Sequence, residues 1–418
     1  MRIVVVHQYY LLPGVGGGSR FNEFARLWTA AGHEVTVVAG TLDYNTGQVP
    51  ARYRRRLVTE EWDGRVRVLR CHVPRTYSSS YLGRSWAYAG FTLSALMAAL
   101  RTASPDCVVA SSPPLPVVLP GHAIARLRPR PAPWIFEVRD LWPEMAITMG
   151  IISPNSLLTR ALYSLEAWAY AKADHIVALT PAFRDNIVYR GLAPRERLSV
   201  IPNGADSDLF RPGTRDNWVR KKFEWGDRFV VLYAGAHGRA NALGQLLEAA
   251  SLLRHRKDVL VASVGDGPER PRLMAEAHDR RLHNVCFCGP QPKARMVDFV
   301  NACDLGAAVL KDNPSFKTVY PNKIFDYMSC ARPTLLAIDG AARNLVCERA
   351  QAGVFVPPED PAAIAACIEA LADDPARCAR LGDNGLTWVR ANATRSRLAE
   401  RYLELMERLT KSNLASRS

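Results

Sequence analysis

The chain has 418 residues, a formal charge of +14, and nearly half of its residues are apolar. That length exceeds the roughly 250–300 residues at which a single core stops growing, so two domains are expected and a one-core protein is excluded. The apolar share suits a folded soluble protein, and the charge predicts anionic company: nucleic acid, an anionic membrane surface or phosphorylated substrates.

In chain order, short β-rich runs alternate with helical stretches. Residues 2–7 of the N-terminal MRIVVVHQYY read as a strand, and its apolar run is too short for the core of a signal peptide, so no export is expected. A helix over 17–31 ends at Gly32, and a second strand covers 35–39. Further strands fall near 66–70, 107–111, 134–138, 175–179 and 198–201, most of them separated by helical patterns. The apolar stretch 86–100 falls short of the roughly 20 residues that span a bilayer, so no membrane crossing is expected. Its aromatics, aliphatics and flanking Arg84 and Arg101 instead fit a helix lying in the headgroup layer, or simply a core helix between the third and fourth strands. After Pro202-Asn203-Gly204 the alternation restarts, with strands at 229–234, 259–264, 285–288, 305–310, 334–338 and 353–356. The pattern predicts an α/β chain of two Rossmann-like, doubly wound domains over residues 1–204 and 205–395. Residues 396–418 read as a C-terminal helix with a tail frayed from Lys411. The nine cysteines form no C-x-x-C pair, and Cys286 and Cys288 alternate on one face of an apolar strand. They read as core thiols in a reducing cytoplasm.

Ligands of open parallel sheets sit beyond the carboxyl ends of the strands, so the residues just after each strand carry the functional information. After the first strand comes a glycine cluster, Gly14, Gly16, Gly17 and Gly18, followed by Ser19-Arg20 and opening a helix, which suits a phosphate. A dinucleotide-binding fingerprint is the rival reading there. However, the loop before Gly16 is too long for its tight turn, and Asp43 lies past the second strand. Arg139, Asp140 and Glu144 in EVRDLWPE follow an apolar strand, as positioning or proton-transfer groups do, or as a charged loop over Trp142 does. In the second half, Gly235, His237, Arg239 and Asn241 follow one strand, Gly267 the next, and Gly289-Pro290 the one after. A guanidinium such as Arg239 at that place clamps phosphate through paired hydrogen bonds.

The stretch 320–336, YPNKIFDYMSCARPTLL, reads as a helix capped by Asn322 and stopped at Arg332-Pro333. Lys323 then lies in the first turn, where a cation opposes the helix dipole unless it faces an anion together with the free N–H groups. Asp326 lies one turn on, within reach of a sugar's vicinal hydroxyls. Together they form a nucleotide-diphosphate site, although an ordinary amphipathic helix with Lys323 and Asp326 in water fits the same letters.

GHEVTVV (32–38), IPNGAD (201–206), GDGPE (265–269), NVCFCG (284–289) and KIFDYMSCARP (323–333) together resemble glycosyltransferase family 4, which has the GT-B fold of two domains facing a central cleft. Within that family, DLWPE, YAGAHGRANAL and the PNK-IFDYM form look most like bacterial enzymes that build O-antigen or exopolysaccharide, including those that add N-acetyl-L-fucosamine. The resemblance implies a nucleotide-sugar donor, UDP-linked by expectation, held by the C-terminal domain. It also implies a saccharide acceptor held by the N-terminal one, and retention of anomeric configuration. Asp326 matches the second acid of the family's E-x7-E pattern, which binds the donor ribose, whereas Thr318 replaces the first. Arg239 matches the family's phosphate-binding arginine, the usual lysine nearby is missing, and Lys323 is expected to supply that charge. Asp140 falls near the family's catalytic-site histidine, and the turn at Gly289 and Pro290 resembles the segment that reads the base. Asp140, Arg239 and Lys323 are therefore the expected catalytic residues.

No cofactor and no metal are expected, since Asp206-Ser207-Asp208 follows the linker rather than a strand, and the histidines lack ligand spacing. No nucleic acid is expected either: the basic residues are scattered, with no helix-turn-helix, zinc or RNP pattern. The expected acceptor is a polyprenyl-diphosphate-linked saccharide. The expected location is cytoplasmic, peripheral at the inner face of the plasma membrane, with the anionic surface as partner. A GT-B nucleotide-sugar epimerase or a noncatalytic sugar-nucleotide-binding protein shares the fold and stays open as an alternative.

Overall fold

The computed structural model describes residues 1–13, 15, 20–43, 46–78 and 81–415. They form two compact units, residues 1–202 with 396–418, and residues 203–395.

The first unit runs β1 (Arg2–Val6), α1 (Arg20–Ala30), β2 (Glu34–Gly40), β3 (Val58–Asp63), β4 (Val66–Cys71), α2 (Tyr81–Ala99), β5 (Cys107–Ser112), α3 (Val118–Arg126), β6 (Trp134–Val138), α4 (Glu144–Thr148), α5 (Leu157–Lys172), β7 (His175–Ala178), α6 (Pro181–Tyr189) and β8 (Leu198–Val200). Its sheet has the order β3-β4-β2-β1-β5-β6-β7-β8. Val4 pairs with Thr36 on one side and Val108 on the other, both parallel. Ile3 to Val6 are buried on both faces, which is why β1 reads as an unbroken apolar run. Only β3 runs antiparallel, turning into β4 through Gly64 at φ +59°. Strand β3 is missed in sequence because VTEEWD has no apolar run; it is an edge strand with Glu60 and Trp62 exposed and no residue fully buried.

Residues 396–415 belong to this unit rather than forming a separate element. The last helix, Arg395–Ala415 in full, packs Tyr402 on Phe21, Phe24 and Trp28 of α1, and Trp28 Nε1 donates to the Ala399 carbonyl at 3.0 Å. It continues past Lys411, where a frayed tail is expected from sequence, and Asn413 Nδ2 donates to the Pro131 carbonyl. Arg20, at the start of α1, is buried. It ion-pairs with Glu137 of β6 at 3.1 Å and donates to the carbonyls of Ile201 and Pro202, so it anchors the end of the unit rather than facing a phosphate.

The second unit runs α7 (Trp218–Lys222), β9 (Phe229–Ala234), α8 (Gly244–Leu252), β10 (Val259–Val264), α9 (Arg270–Asp279), β11 (Val285–Gly289), α10 (Lys293–Ala302), β12 (Leu305–Val309), α11 (Asn322–Ser329), β13 (Thr334–Ala337), α12 (Ala341–Arg343), β14 (Gly353–Phe355), α13 (Pro361–Ala372) and α14 (Pro375–Asn392), before α15 (Arg395–Ala415). The sheet is wholly parallel, in the order β11-β10-β9-β12-β13-β14. The order reverses beside β9, so β9 and β12 diverge at their carboxyl ends and leave a crevice.

Tyr327 fixes α11 over that crevice. The residue is fully buried against Gly306, where any Cβ would collide with its ring. Its hydroxyl accepts from the Ala234 N–H at 3.0 Å and faces the Leu232 and Ala307 carbonyls at 3.1 and 3.2 Å. Asn322 is not the cap expected from sequence: Pro321 takes that place without a side-chain bond, and Asn322 Oδ1 accepts from Asn203 Nδ2 at 2.7 Å.

Candidate functional site

Lys323 is the centre of the strand-end site in the second unit. Its Nζ sits 3.5 Å from the centroid of the Tyr233 ring and 3.3 Å from where a Cβ on Gly235 would stand. Tyr233, next to the last residue of β9, is held by its hydroxyl donating to the Ala236 carbonyl at 2.8 Å. Burial pushes the Lys323 ammonium down to about 7, with the Asp326 carboxylate pulling the other way. A cation costly to keep charged, placed in the first turn of a helix, is stabilised by an anion arriving from outside.

The loops around it are laced together. The Gly265 N–H donates to the Gly289 carbonyl and the Gly235 N–H to the Val264 carbonyl. At Gly265 (φ +137°) a Cβ would run into the Gly235 carbonyl oxygen, and at Gly267 (φ +156°) into the His237 backbone, so these turns require glycine. His237 is buried and works from inside the loop. Its Nε2 meets Ser263 Oγ, its N–H donates to the Asp266 carbonyl, and burial lowers its proton affinity. Arg239 stands at the rim, 86% exposed and 3.6 Å from Glu269 Oε1. Asn241 closes the same short turn, its N–H donating to the Gly238 carbonyl. Pro290 is exposed beyond Gly289, and Arg270 reaches to 3.5 Å from a Cβ position on Gly289.

In the first unit a second polar group gathers after β1 and β6. His7 is buried and kept neutral by burial and then by Arg139, whose Nη1 lies 3.3 Å from His7 Nε2. Gln8 is fully buried with neither side-chain atom hydrogen-bonded among the described residues; Ser112 Oγ, His7 Nδ1 and Arg139 Nε share that state. Buried polar groups are almost always satisfied, so this set has the unmet capacity that a hydroxyl-rich ligand or ordered water fills. Asp140 lies beside it, its carboxyl pushed up to about 6 by burial against the opposing pull of Arg139. Glu144 ion-pairs with Arg190 through Oε1 at 2.9 Å, while its Oε2 is buried without a hydrogen-bond partner among the described residues.

Residues 15–204 match the model of a glycosyl transferase 4-like domain, and residues 228–374 that of glycosyl transferases group 1. The chain carries two glycosyltransferase domains. It is 23% identical over 241 residues to the probable glycosyltransferase WbjE of Pseudomonas aeruginosa, covering 57% of this chain and 60% of that one. To the D-inositol 3-phosphate glycosyltransferase of Thermobispora bispora it is 30% identical, covering 57% of each. The chain thus spans about three fifths of these relatives' length. To WcaI of Escherichia coli K12, named for colanic acid biosynthesis, it is 24% identical over 69% of this chain and 71% of that one. Among solved structures, sucrose-phosphate synthase of Thermosynechococcus elongatus superposes with a TM-score of 0.75 at 18% identity, covering 98% of this chain and 99% of that one. Anabaena HepE in complex with UDP superposes at 0.70 and 17%, covering 97% and 100%. The fold is GT-B.

In the group 1 domain, Gly235, Arg239, Gly267, Gly289, Asn322, Lys323 and Asp326 all fall on strand-end loops or the first turns of α11, whereas His237 supports the loop from behind. In the 4-like domain, Gly16, Gly17 and Gly18 lie outside the described residues. Thr318 Oγ1 donates to the Ser315 carbonyl inside its own 3-10 turn. Asp206 is taken by Lys293 at 2.7 Å and by the Leu209 N–H, so the D-x-D pattern there is a structural turn. Among the described residues no group of His, Cys, Asp and Glu could hold a metal, and no helix is long and apolar enough to cross a membrane. Sequence reasoning missed Tyr233, His7 and Gln8. The signal lay in plain view for the last two: polar residues directly following an apolar parallel strand.

Proposed function

We propose that this protein transfers a sugar, with retention, from a nucleotide-diphosphate donor, UDP-sugar by preference, to a lipid-linked saccharide acceptor in surface polysaccharide assembly. The observation that carries the donor half is the Lys323 ammonium, desolvated on the Tyr233 ring at a helix N-terminus, with Asp326 one turn on. As the sugar–phosphate bond breaks, charge collects on the diphosphate, and Lys323, Arg239 and the α11 N–H groups stabilise it by being in place beforehand. Asp326 accepts from the ribose hydroxyls. HepE, a structural neighbour, is described in complex with UDP, which supports that base. Asp140, with its proton affinity raised, the buried Gln8 and His7, and the half-buried Arg139 receive the acceptor's hydroxyls.

The lipid-linked acceptor rests on α2, which turns Trp86, Leu93, Met97 and the following Leu100 outward while Ala87, Phe91, Ala95 and Ala98 face the core. Such a stripe sits in a headgroup layer beside the chain's surplus of cations. A relative named for colanic acid biosynthesis fits the same reading. Relatives named D-inositol 3-phosphate glycosyltransferase favour a second one, a soluble phosphorylated polyol acceptor. Pure protein incubated with radiolabelled UDP-sugars and either a bacterial lipid extract or inositol phosphate separates them. Label entering the lipid fraction supports the proposal, label entering the polyol supports the second reading, and an altered nucleotide-sugar without transfer refutes both in favour of epimerisation.

A further inference from the structure

Beside α2 in the first unit lies a groove of about 380 Å³ whose walls are almost entirely apolar. Tyr88 and Leu93 of α2, Leu119 of α3, Trp142, Ile152 and Leu158 of α5 line it. Leu93, Leu119 and Leu158 keep 63, 38 and 47% of their surface exposed, so the groove is open and the unit's own packing does not fill it. A concavity of this size and lining is what a hydrocarbon ligand requires and what a monomer's surface otherwise avoids.

One end of the groove is different. Arg84 lines it with its Nε buried and without a hydrogen-bond partner among the described residues, and its guanidinium lies 5.2 Å from the centroid of the Tyr77 ring. The hydroxyls of Tyr77 and Tyr88 both meet that of Tyr9, at 3.2 and 3.3 Å, next in sequence to the buried Gln8. Trp142 stacks edge-on against Tyr88 and stands two residues after Asp140. The apolar trough therefore abuts the polar strand-end cluster, with a partner-seeking cation where they meet. Charge and continuity together select an occupant with a hydrocarbon chain, an anionic link and a polar head.

We propose that this groove holds the hydrocarbon chain of the acceptor's lipid phosphate, with the phosphate at Arg84 and the saccharide directed toward Gln8, Arg139 and Asp140. This rests on the reading of the acceptor as lipid-linked and adds to it a defined chain-binding site, separate from adsorption of the α2 stripe to a membrane.

The test uses farnesyl phosphate as probe, with farnesol and inorganic phosphate as the chain-only and head-only controls, by calorimetry on the full chain. Ala89 is exposed on α2 and lines the groove, so Ala89→Trp fills it without entering the core. Wild type should bind farnesyl phosphate more tightly than either control. Ala89→Trp should weaken that binding by about tenfold or more, the effect of excluding a few methylenes from an apolar site. Arg84→Gln should remove the preference for the phosphate over farnesol. Binding to anionic phosphatidylglycerol vesicles should be retained in Ala89→Trp. Leu158→Asn, from the opposite wall, should reproduce the loss if Ala89→Trp melts early. No binding by wild type, or binding by both groove variants as tight as that of wild type, overturns the proposal. Undiminished transfer to a lipid-linked acceptor by Ala89→Trp also overturns it while leaving the proposed function standing, whereas transfer by wild type to inositol phosphate alone removes the reading on which it rests.

Discussion

Lys323 Nζ lies 3.5 Å from the centre of the Tyr233 ring, across 90 residues of sequence, and the contact sets the chemistry of the second unit. The ring face attracts the cation, yet the surrounding protein strips its water, and desolvation wins: the amine is held near 7 rather than its ordinary 10.5. Replacing the amine by a neutral chain of similar length separates the two effects. Lys323→Met should lower turnover at saturating donor by about 10²–10³-fold, the scale of losing one preorganised charge-stabilising donor. The same variant should melt higher than wild type at pH 6.5, because it removes a charge that is costly to bury. Steady-state kinetics and calorimetric melting check the two halves, and near-normal turnover would remove Lys323 from the leaving-group clamp.

The depressed amine also predicts how donor binding follows pH. Between about 7 and 10.5 the free folded protein holds fewer protons at Lys323 than the unfolded chain does, so stability in the absence of ligand rises with pH across that window. A bound diphosphate reverses the shift by favouring the ammonium, so UDP binding takes up a proton. Affinity should then fall above pH 7, by up to about tenfold per pH unit. Calorimetry at pH 8 in two buffers of different ionisation enthalpy should report close to one proton taken up per UDP in wild type and close to none in Lys323→Met.

Asp326 is tied to the same site from the next turn of α11. If it accepts from ribose hydroxyls, Asp326→Ala should weaken UDP by about 1.5–3 kcal/mol, the range for hydrogen bonds to a charged group, and Asp326→Asn by less. Because its carboxylate also raises the proton affinity of Lys323, the alanine variant should begin to lose UDP at lower pH than wild type. Unchanged calorimetric binding in Asp326→Ala would make the residue structural.

What the sequence discloses and what it hides divide along physical lines. Parallel strands buried on both faces are apolar runs, so β1, β9 and β10 are legible, and the glycine turns after β9 and β10 mark the loops of the site, whereas His7 and Gln8 after β1 carry no such mark. Strand β3 is not, because an edge strand carrying Glu60, Glu61 and Asp63 in six residues has no apolar run and looks like a loop. The helix carrying Lys323 and Asp326 is legible from its apolar face. Tyr233 as its platform is not, because only the fold brings the residues together. Arg20 sits in a phosphate-like glycine context and yet is consumed by Glu137 and two carbonyls, a through-space pairing that no local pattern announces.

That pairing yields a stability prediction. Arg20 and Glu137 are 3% and 0% exposed, and Glu137 Oε1 also accepts from Ser111 Oγ at 3.1 Å. Removing one member of a buried pair strands the other charge, so Arg20→Met should cost about 3–5 kcal/mol. The double variant with Glu137→Gln should recover part of it. Denaturant unfolding followed by tryptophan fluorescence measures both, and equal losses in the single and double variants would show that packing of the arginine on Phe24 and Tyr402, not its charge, holds the unit's end.

Helix α2 presents an apolar stripe to solvent. Trp86, Leu93 and Met97, with Leu100 just beyond the helix, recur at spacings of seven, four and three residues, which a helical period places on one face, and they are 63, 63, 49 and 82% exposed. Their opposite face is core, so the helix serves the fold and still presents a continuous apolar stripe. Arg84 and Arg101 flank it, and each cation near an anionic leaflet adds about 1 kcal/mol of attraction. The protein should therefore sediment with phosphatidylglycerol vesicles more than with neutral ones, and less as salt rises. The triple variant Trp86→Ser, Leu93→Ser, Met97→Ser should lose the lipid-dependent part at every salt concentration, while Arg84→Glu with Arg101→Glu should lose chiefly the salt-sensitive part. Equal recovery in the supernatant with both vesicle types would leave the stripe without a membrane role and shift the acceptor toward a soluble polyol.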